Sequence, residues 1–211
     1  MPLLEESGLI MPVGEWVVRK ACRQIADWRR LGLASLPVAI NVSPRQFAQR
    51  DLAAVIETAL RENDVDGSLF EIELTESVAM HDTEETIAAL ARLKALGVKI
   101  AIDDFGTGHS SLSYLTRLPI DILKIDRSFV TGLPGSASDS SIARAIIMMA
   151  HSLGLKVVAE GVEDERQLQF LAQNGCDEVQ GFLLAQPVAA NDMARILQLP
   201  ARVMVPSGAV H

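Results

Sequence analysis

The stretch Lys99–Gly108, KIAIDDFGTG, decides the fold. Ile100, Ala101 and Ile102 form an apolar run without alternation, the mark of a strand buried on both faces. The run stops on two adjacent carboxylates, Asp103 and Asp104, and Gly106 and Gly108 then let the backbone turn sharply or approach a ligand closely. In parallel α/β folds the C-terminal end of a strand is where ligands bind. Two neighbouring acids repel each other and need a cation, a shared proton or water to persist there. A divalent metal is the simplest of these.

Outward from this strand, short apolar segments alternate with amphipathic helical ones, the pattern of a parallel sheet with crossover helices. The strands predicted are Val38–Asn41, Phe70–Leu74, Lys99–Asp103, Ile122–Asp126, Lys156–Glu160 and Glu178–Gln180. The helices predicted are Gly14–Leu31, Asp51–Glu62, Glu84–Leu96, Ser140–Leu153, Glu165–Asn174 and Asn191–Leu197. Gly32, Gly97, Gly154 and Gly175 stand where helices end, and Asp82 or Thr83 caps the third helix. Gly132–Ser141 reads as a long strand-to-helix loop.

Side chains on a strand alternate faces. On one parity every predicted strand is apolar: Val38 and Ile40, Ile72 and Leu74, Ile100 and Ile102, Leu123 and Ile125, Val157 and Ala159, Val179. On the other each ends polar, at Asn41, Glu73, Asp103, Lys124 with Asp126, Glu160 and Gln180. An open sheet with helices on both sides wants both faces apolar. A closed (β/α)₈ TIM-like barrel accounts for the pattern directly, with helices outside and functional groups at the C-terminal mouth. Six βα units are two short of eight.

Taken singly, these residues have bland readings. Asn41 or Gln180 reads as a loop or cap residue, and Glu73, with Thr75 and Glu76 after it, as a solvated rim. Lys124 and Asp126 read as a structural ion pair, and Glu160 as an acidic helix start. Six polar strand ends on one parity are harder to dismiss. Their hard oxygen donors, with no clustered His or Cys, suit Mg²⁺ or Mn²⁺ rather than zinc. Below them Glu71, Lys99, Lys156 and Glu178 share the polar parity and are expected to pair or to line the lower rim. His81, His109, His151 and His211 show no ligand spacing; His151 is expected on a helix as a surface or packing residue, and Met148–Met149 as core filling.

The chain has 211 residues, 49% of them apolar, enough for one sizeable domain over 1–200 with a tail at 201–211. Aromatics are only 4%, so aliphatic residues fill the core. A net charge of −8 argues against a nucleic-acid backbone as partner, although a small phosphate ligand stays open if cations neutralise it. Cys22 and Cys176 have no metal-type spacing and read as reduced core thiols. No apolar run approaches the roughly 20 residues that span a bilayer, and MPLLEESG lacks the pattern of a signal peptide, so a cytoplasmic location is expected.

At these residues the chain resembles the EAL family of cyclic-di-GMP phosphodiesterases. The strings that carry the likeness are LLEESGLIMPVGEWVVRKAC, INVSPRQF, IELTES, IAIDDFGTGHSSLSYLTRLPIDILKIDRSFV, AHSLGLKVVAEGVE and GCDEVQGFLLAQP, from about Leu3 to Pro187. The resemblance implies a modified (β/α)₈ barrel that opens cyclic-di-GMP to linear pGpG with two Mg²⁺ or Mn²⁺ ions. It implies that Asn41, Glu73 and Asp103 are ligands of the first metal, and that Asp103 bridges to a second with Asp104 beside it. It makes Lys124 the group that holds or deprotonates the attacking water, places Asp126 and Glu160 in the metal and water shell, and sets Gln180 at the substrate edge. Glu76 would anchor the loop after Asp104, which in the family also makes dimer contacts, and Glu163 is a further candidate. A fused sensory or diguanylate cyclase domain is a further expectation.

The chain departs from the family pattern too. The Glu-Ala-Leu segment that names the family, with its first-metal Glu, a nearby substrate-contacting Arg and two strands, does not occur in these residues. His109 stands where Tyr is frequent, and Gln186 where a basic residue is common. Three readings follow: part of a genuine phosphodiesterase, with little turnover by the 211 residues alone; a non-catalytic EAL module that binds cyclic-di-GMP or a protein; and an unrelated metal-dependent barrel enzyme acting on a carboxylate substrate, against which the family strings argue.

Overall fold

The structure is a computed structural model and describes residues 2–33, 36–48, 52–79, 84–107 and 115–198. Asp82, Thr83, Gly108, His81, His109, His211 and the tail from Ala201 lie outside the described residues. The chain forms two compact units, Met1–Ile122 and Leu123–His211.

The first unit opens with helices α1 (Pro2–Glu6) and α2 (Ile10–Arg30). Three parallel strands follow, β1 (Val38–Val42), β2 (Phe70–Thr75) and β3 (Lys99–Phe105), separated by α3 (Pro44–Phe47), α4 (Leu52–Asn63), α5 (Glu76–Ala79) and α6 (Glu84–Ala95). The register sets Val38 opposite Phe70 and Asn41 opposite Glu73, then Ile72 opposite Ile100 and Thr75 opposite Asp103. Phe70, Ile72, Leu74, Ile100 and Ile102 are fully buried, so the apolar parity faces the core. Each such side chain stabilises the fold by about 1.5–3 kcal/mol. Ala101 is buried too, so β3 is covered on both faces as its unbroken apolar run predicts.

The second unit begins within β4 (Ile122–Ile125) and continues through α7 (Arg127–Thr131), α8 (Ala137–Ser152), β5 (Lys156–Ala159), α9 (Glu165–Gln173), β6 (Glu178–Val179) and α10 (Ala190–Leu197). β5 and β6 are parallel, with Val158 opposite Glu178. The ladder runs one residue past each strand: Glu160 N–H donates to Ile125 O at 3.1 Å, and Gln180 N–H to Ala159 O at 2.9 Å.

All six predicted strands are present. The predicted glycine stops hold, with Gly32, Gly97, Gly154 and Gly175 all at positive φ. Three expectations are corrected. The stretch Gly132–Ser141 is not one loop, because α8 starts at Ala137 with the Ser136 side chain accepting from Asp139 N–H. Helix α2 begins at Ile10 rather than Gly14: Pro12 fits its first turn, and Gly14 makes room for Gln46, whose Nε2 sits where a Cβ would be. Met148 is 72% exposed, not core filling. Ile146, Ile147 and Ala150 take the core face of α8, and the helical period turns Met148 outward. Lys156 and Glu178 do pair, at 3.3 Å on the surface, while Glu71 and Lys99 are half-buried register neighbours. No helix among the described residues is long and apolar enough to cross a membrane.

The same brace occurs once in each unit. Lys94, Leu96, Gly97 and Lys99 recur in spacing as His151, Leu153, Gly154 and Lys156, the first residue of each set carrying a base. In the first unit the Asp121 carboxylate binds Lys94 Nζ at 2.6 Å and accepts from Ile100 N–H at 2.9 Å. In the second, Asp177 binds His151 Nε2 at 2.8 Å and accepts from Val157 N–H at 2.8 Å. Each aspartate thus ties a helix end to the second residue of a strand. Partial burial pushes the Asp177 carboxyl upward, but hydrogen bonds from His151 and Val157 and the charges of His151 and Lys156 outweigh it and hold its pKa below the usual range. The stabilisation is present above the unfolded carboxyl pKa of about 3.9 and is lost as pH falls through the lower folded value. Asp177→Asn should cost about 1 kcal/mol at pH 7, the pair being half exposed, and chemical denaturation should find the gap to wild type closing in acid.

Candidate active site

In the first unit three strand ends present oxygen donors on one face. Asn41 and Glu73 are register partners. Ala101 continues that row on β3, and Asp103 lies two residues further on the same face. With strands about 4.8 Å apart and a rise of about 3.3 Å per residue, the Cα atoms of Glu73 and Asp103 are roughly 8 Å apart. Glu73 is buried, Asp103 half-buried, and Asn41 and Asp104 exposed.

Asp104 has φ +54°, a left-handed conformation uncommon for a side-chain-bearing residue and easiest for Asn and Asp. Its N–H donates to Asp103 Oδ1 at 3.0 Å, and its carbonyl accepts from Thr107 Oγ1 at 2.9 Å. The backbone thus already takes a left-handed residue at Asp104, inside β3, ahead of the Gly106 at which the sequence places the turn. Gly106 also has positive φ, and its N–H donates to Oε2 of the buried Glu76 at 3.2 Å. Glu76 opens α5, and its Oε1 has no hydrogen-bond partner among the described residues.

In the second unit Lys124, Glu160 and Gln180 come together. Lys124 is 3% exposed although it ends in an ammonium, and that ammonium forms an ion pair with Glu160 Oε1. Gln180 Nε2 donates to the same oxygen at 2.7 Å. A buried cation, a carboxylate and a carboxamide thus hold one another at three strand ends. Asp126 caps α7, accepting from Ser128 N–H at 3.0 Å. Beyond Glu160, Gly161 has φ +70°, and a Cβ there would fall 2.3 Å from Arg127 Cγ. The Arg127 guanidinium reaches Glu163 Oε1 at 2.6 Å. A cavity of about 410 Å³ opens beside this group, with Arg127, Glu163, Gln180, Phe182, Gln186 and Met193 in its wall.

Arg127, Phe182 and Met193 are additions that strand parity does not reach, since they follow strand ends or sit on a helix. The GF pair after Gln180 was the available signal for Phe182. Burial pushes the Cys22 and Cys176 thiols up to about 11, so both are neutral at physiological pH.

The EAL domain family model matches residues 1–187. The bifunctional diguanylate cyclase/cyclic di-GMP phosphodiesterase MucR of Pseudomonas aeruginosa is 46% identical over 193 residues, 92% of this chain and 28% of that protein. The cyclic di-GMP phosphodiesterase NbdA of the same organism is 45% identical over 186 residues, 88% of this chain and 24% of that protein. The chain therefore spans about a quarter of the length of these curated relatives. Among solved structures, the PaMucR phosphodiesterase in complex with c-di-GMP superposes with a TM-score of 0.87 at 46% identity, over 91% of this chain and 78% of that one.

Proposed function

The chain belongs to the EAL domain family, and from that premise we propose that it is the greater part of a phosphodiesterase domain that opens cyclic-di-GMP to linear pGpG. The observation that carries the reading is the buried Lys124 held by Glu160 and Gln180 at the strand ends of a fold shared with a c-di-GMP-bound phosphodiesterase.

Asn41, Glu73, Asp103 and Asp104 supply only hard oxygen donors, the set that fits Mg²⁺ or Mn²⁺. When bound, two such ions acidify a water and neutralise phosphate charge. Asn41, Glu73 and Asp103 would hold the first, Asp103 and Asp104 the second. Lys124 orients the attacking water or takes its proton; Glu160 fixes the ammonium, and Gln180 contributes a donor at the substrate edge. Asp126, by capping α7, keeps Arg127 beside the loop that follows Glu160. Glu76 holds the backbone after Asp104 through Gly106, the loop through which we also propose dimer contacts.

The 211 residues do not contain the family's Glu-Ala-Leu tripeptide, and its Glu would complete the first metal site. Formation of pGpG with Mg²⁺ or Mn²⁺, followed by chromatography, is therefore expected to be weak for the 211-residue chain. It should be strong once a Glu-Ala-Leu-bearing segment precedes it. Strong hydrolysis by the 211 residues alone would contradict the incomplete site. Binding of cyclic-di-GMP without turnover by the extended protein would instead identify a non-catalytic module.

A further inference from the structure

We propose that Gln167 is a positioning residue for Glu160, an inference that rests on the catalytic reading of Glu160 above. Gln167 lies in the first turn of α9 and is 5% exposed. As the third helical residue after Asp164 it completes a capping box, which requires only that its side chain accept from the Asp164 N–H. It does more than that. Oε1 accepts from Glu163 N–H at 2.7 Å as well as from Asp164 N–H at 3.1 Å, and Nε2 donates to Thr131 O at 3.4 Å at the end of α7. One buried carboxamide thus joins the loop after β5, the start of α9 and the end of α7.

That loop has little slack. Glu160 N–H is fixed to Ile125 O, and Val162 is fully buried with its N–H on Gln180 O. The Arg127 stem fills the space that a side chain on Gly161 would need, and its guanidinium holds the Glu163 carboxylate. Between Glu160 and the amides held by Gln167 only Gly161 and Val162 intervene. Releasing Glu163 and Asp164 frees the far end of a five-residue segment, and the direction of the Glu160 side chain follows from its backbone. A residue that merely capped α9 would set helix stability and leave Glu160 where it is.

The side-chain amide of Gln180 reports the position of Glu160, because it donates to Glu160 Oε1. Proton–nitrogen NMR of the 211-residue chain would follow that resonance in wild type, Gln167→Met and Gln167→Glu. Met preserves buried volume and removes all three hydrogen bonds; Glu keeps the two that hold the loop. In Gln167→Met we expect exchange of the Glu163 amide to accelerate at least about tenfold and the Gln180 amide to shift to the position of a free carboxamide. In Gln167→Glu the Gln180 signal should stay as in wild type. An unmoved Gln180 signal in Gln167→Met, with the Glu163 amide already unprotected, would overturn the proposal. Should Gln167→Met fail to fold, Gln167→Asn withdraws a shorter carboxamide from the same amides, and an unmoved Gln180 signal there would equally overturn it. The readout does not involve turnover, so an inactive extended protein would sink the phosphodiesterase reading without touching this result.

Discussion

Lys124→Met should abolish pGpG formation by the extended protein and lower the stability of the 211-residue chain by about 3 kcal/mol. The stability loss follows from burial. Lys124 is 3% exposed and the Glu160 side chain 18%, so deleting the ammonium leaves a largely buried carboxylate without its cation. The Gln180 carboxamide remains as a donor, but a neutral donor offsets only part of that cost. The loss of turnover has a separate origin, because a positioned proton-transfer group contributes about 10²–10⁴-fold. The double variant Lys124→Met/Glu160→Gln separates the two effects. Removing both charges should recover most of the stability by urea denaturation while turnover stays abolished. If the single variant kept wild-type stability, the ion pair would not be the buried anchor described here. If it kept turnover, Lys124 would have no part in the chemistry.

Gly181→Ala carries the second large effect. A Cβ at Gly181 would lie 2.2 Å from Val162 O and 2.3 Å from Val162 N. Both neighbours are backbone atoms of a fully buried residue, and both are engaged: Val162 N–H with Gln180 O, and Val162 O with Leu183 N–H. No side chain can swing aside to relieve the contact, so the two loops must separate, at about 3 kcal/mol. They carry Glu160 and Gln180, so substrate binding should weaken with stability. Gly154→Ala is the contrasting control. Gly154 has positive φ, which Gly181 does not, but nothing lies within 4 Å of its Cβ position, so only the backbone penalty of about 1 kcal/mol applies. Thermal unfolding of the two variants should differ accordingly, and equal losses would mean that the Gly181 contact is not tight.

The fold was legible where its physics is periodic. Ile72, Leu74, Ile100 and Ile102 alternate with polar partners or run unbroken, and all are fully buried in the strands predicted. The helix stops were legible because only glycine takes positive φ without strain, as at Gly97 and Gly175. Short helices were lost because four or five residues carry no period. Their caps were nevertheless written in the chain: Ser43 and Gln46 form a capping box around Pro44, and Asp126 caps α7. For the candidate site, parity identified Lys124, Glu160 and Gln180, which the second unit brings into one hydrogen-bonded group. Parity alone does not say that Lys124 pairs with Glu160 at the end of the next strand. Nor could it foresee Asp104 at φ +54°, since Gly106 and Gly108 just beyond it offered the turn a cheaper place.

The paired braces act as a levelling datum within each unit. Asp121 fixes the amide of Ile100, and Asp103 comes three residues later; Asp177 fixes the amide of Val157, and Glu160 comes three residues later. Each carboxylate is therefore set at a fixed height, about 10 Å for three residues of strand rise, above a pinned point. An odd-numbered insertion between pin and carboxylate would raise the group and also turn it to the helix side, while every core side chain beyond it turned inward-out. Substitutions above the datum can change the chemistry and leave the fold alone. A one-residue length change between the two alters both together, so these short runs should tolerate replacement far better than they tolerate a change in length.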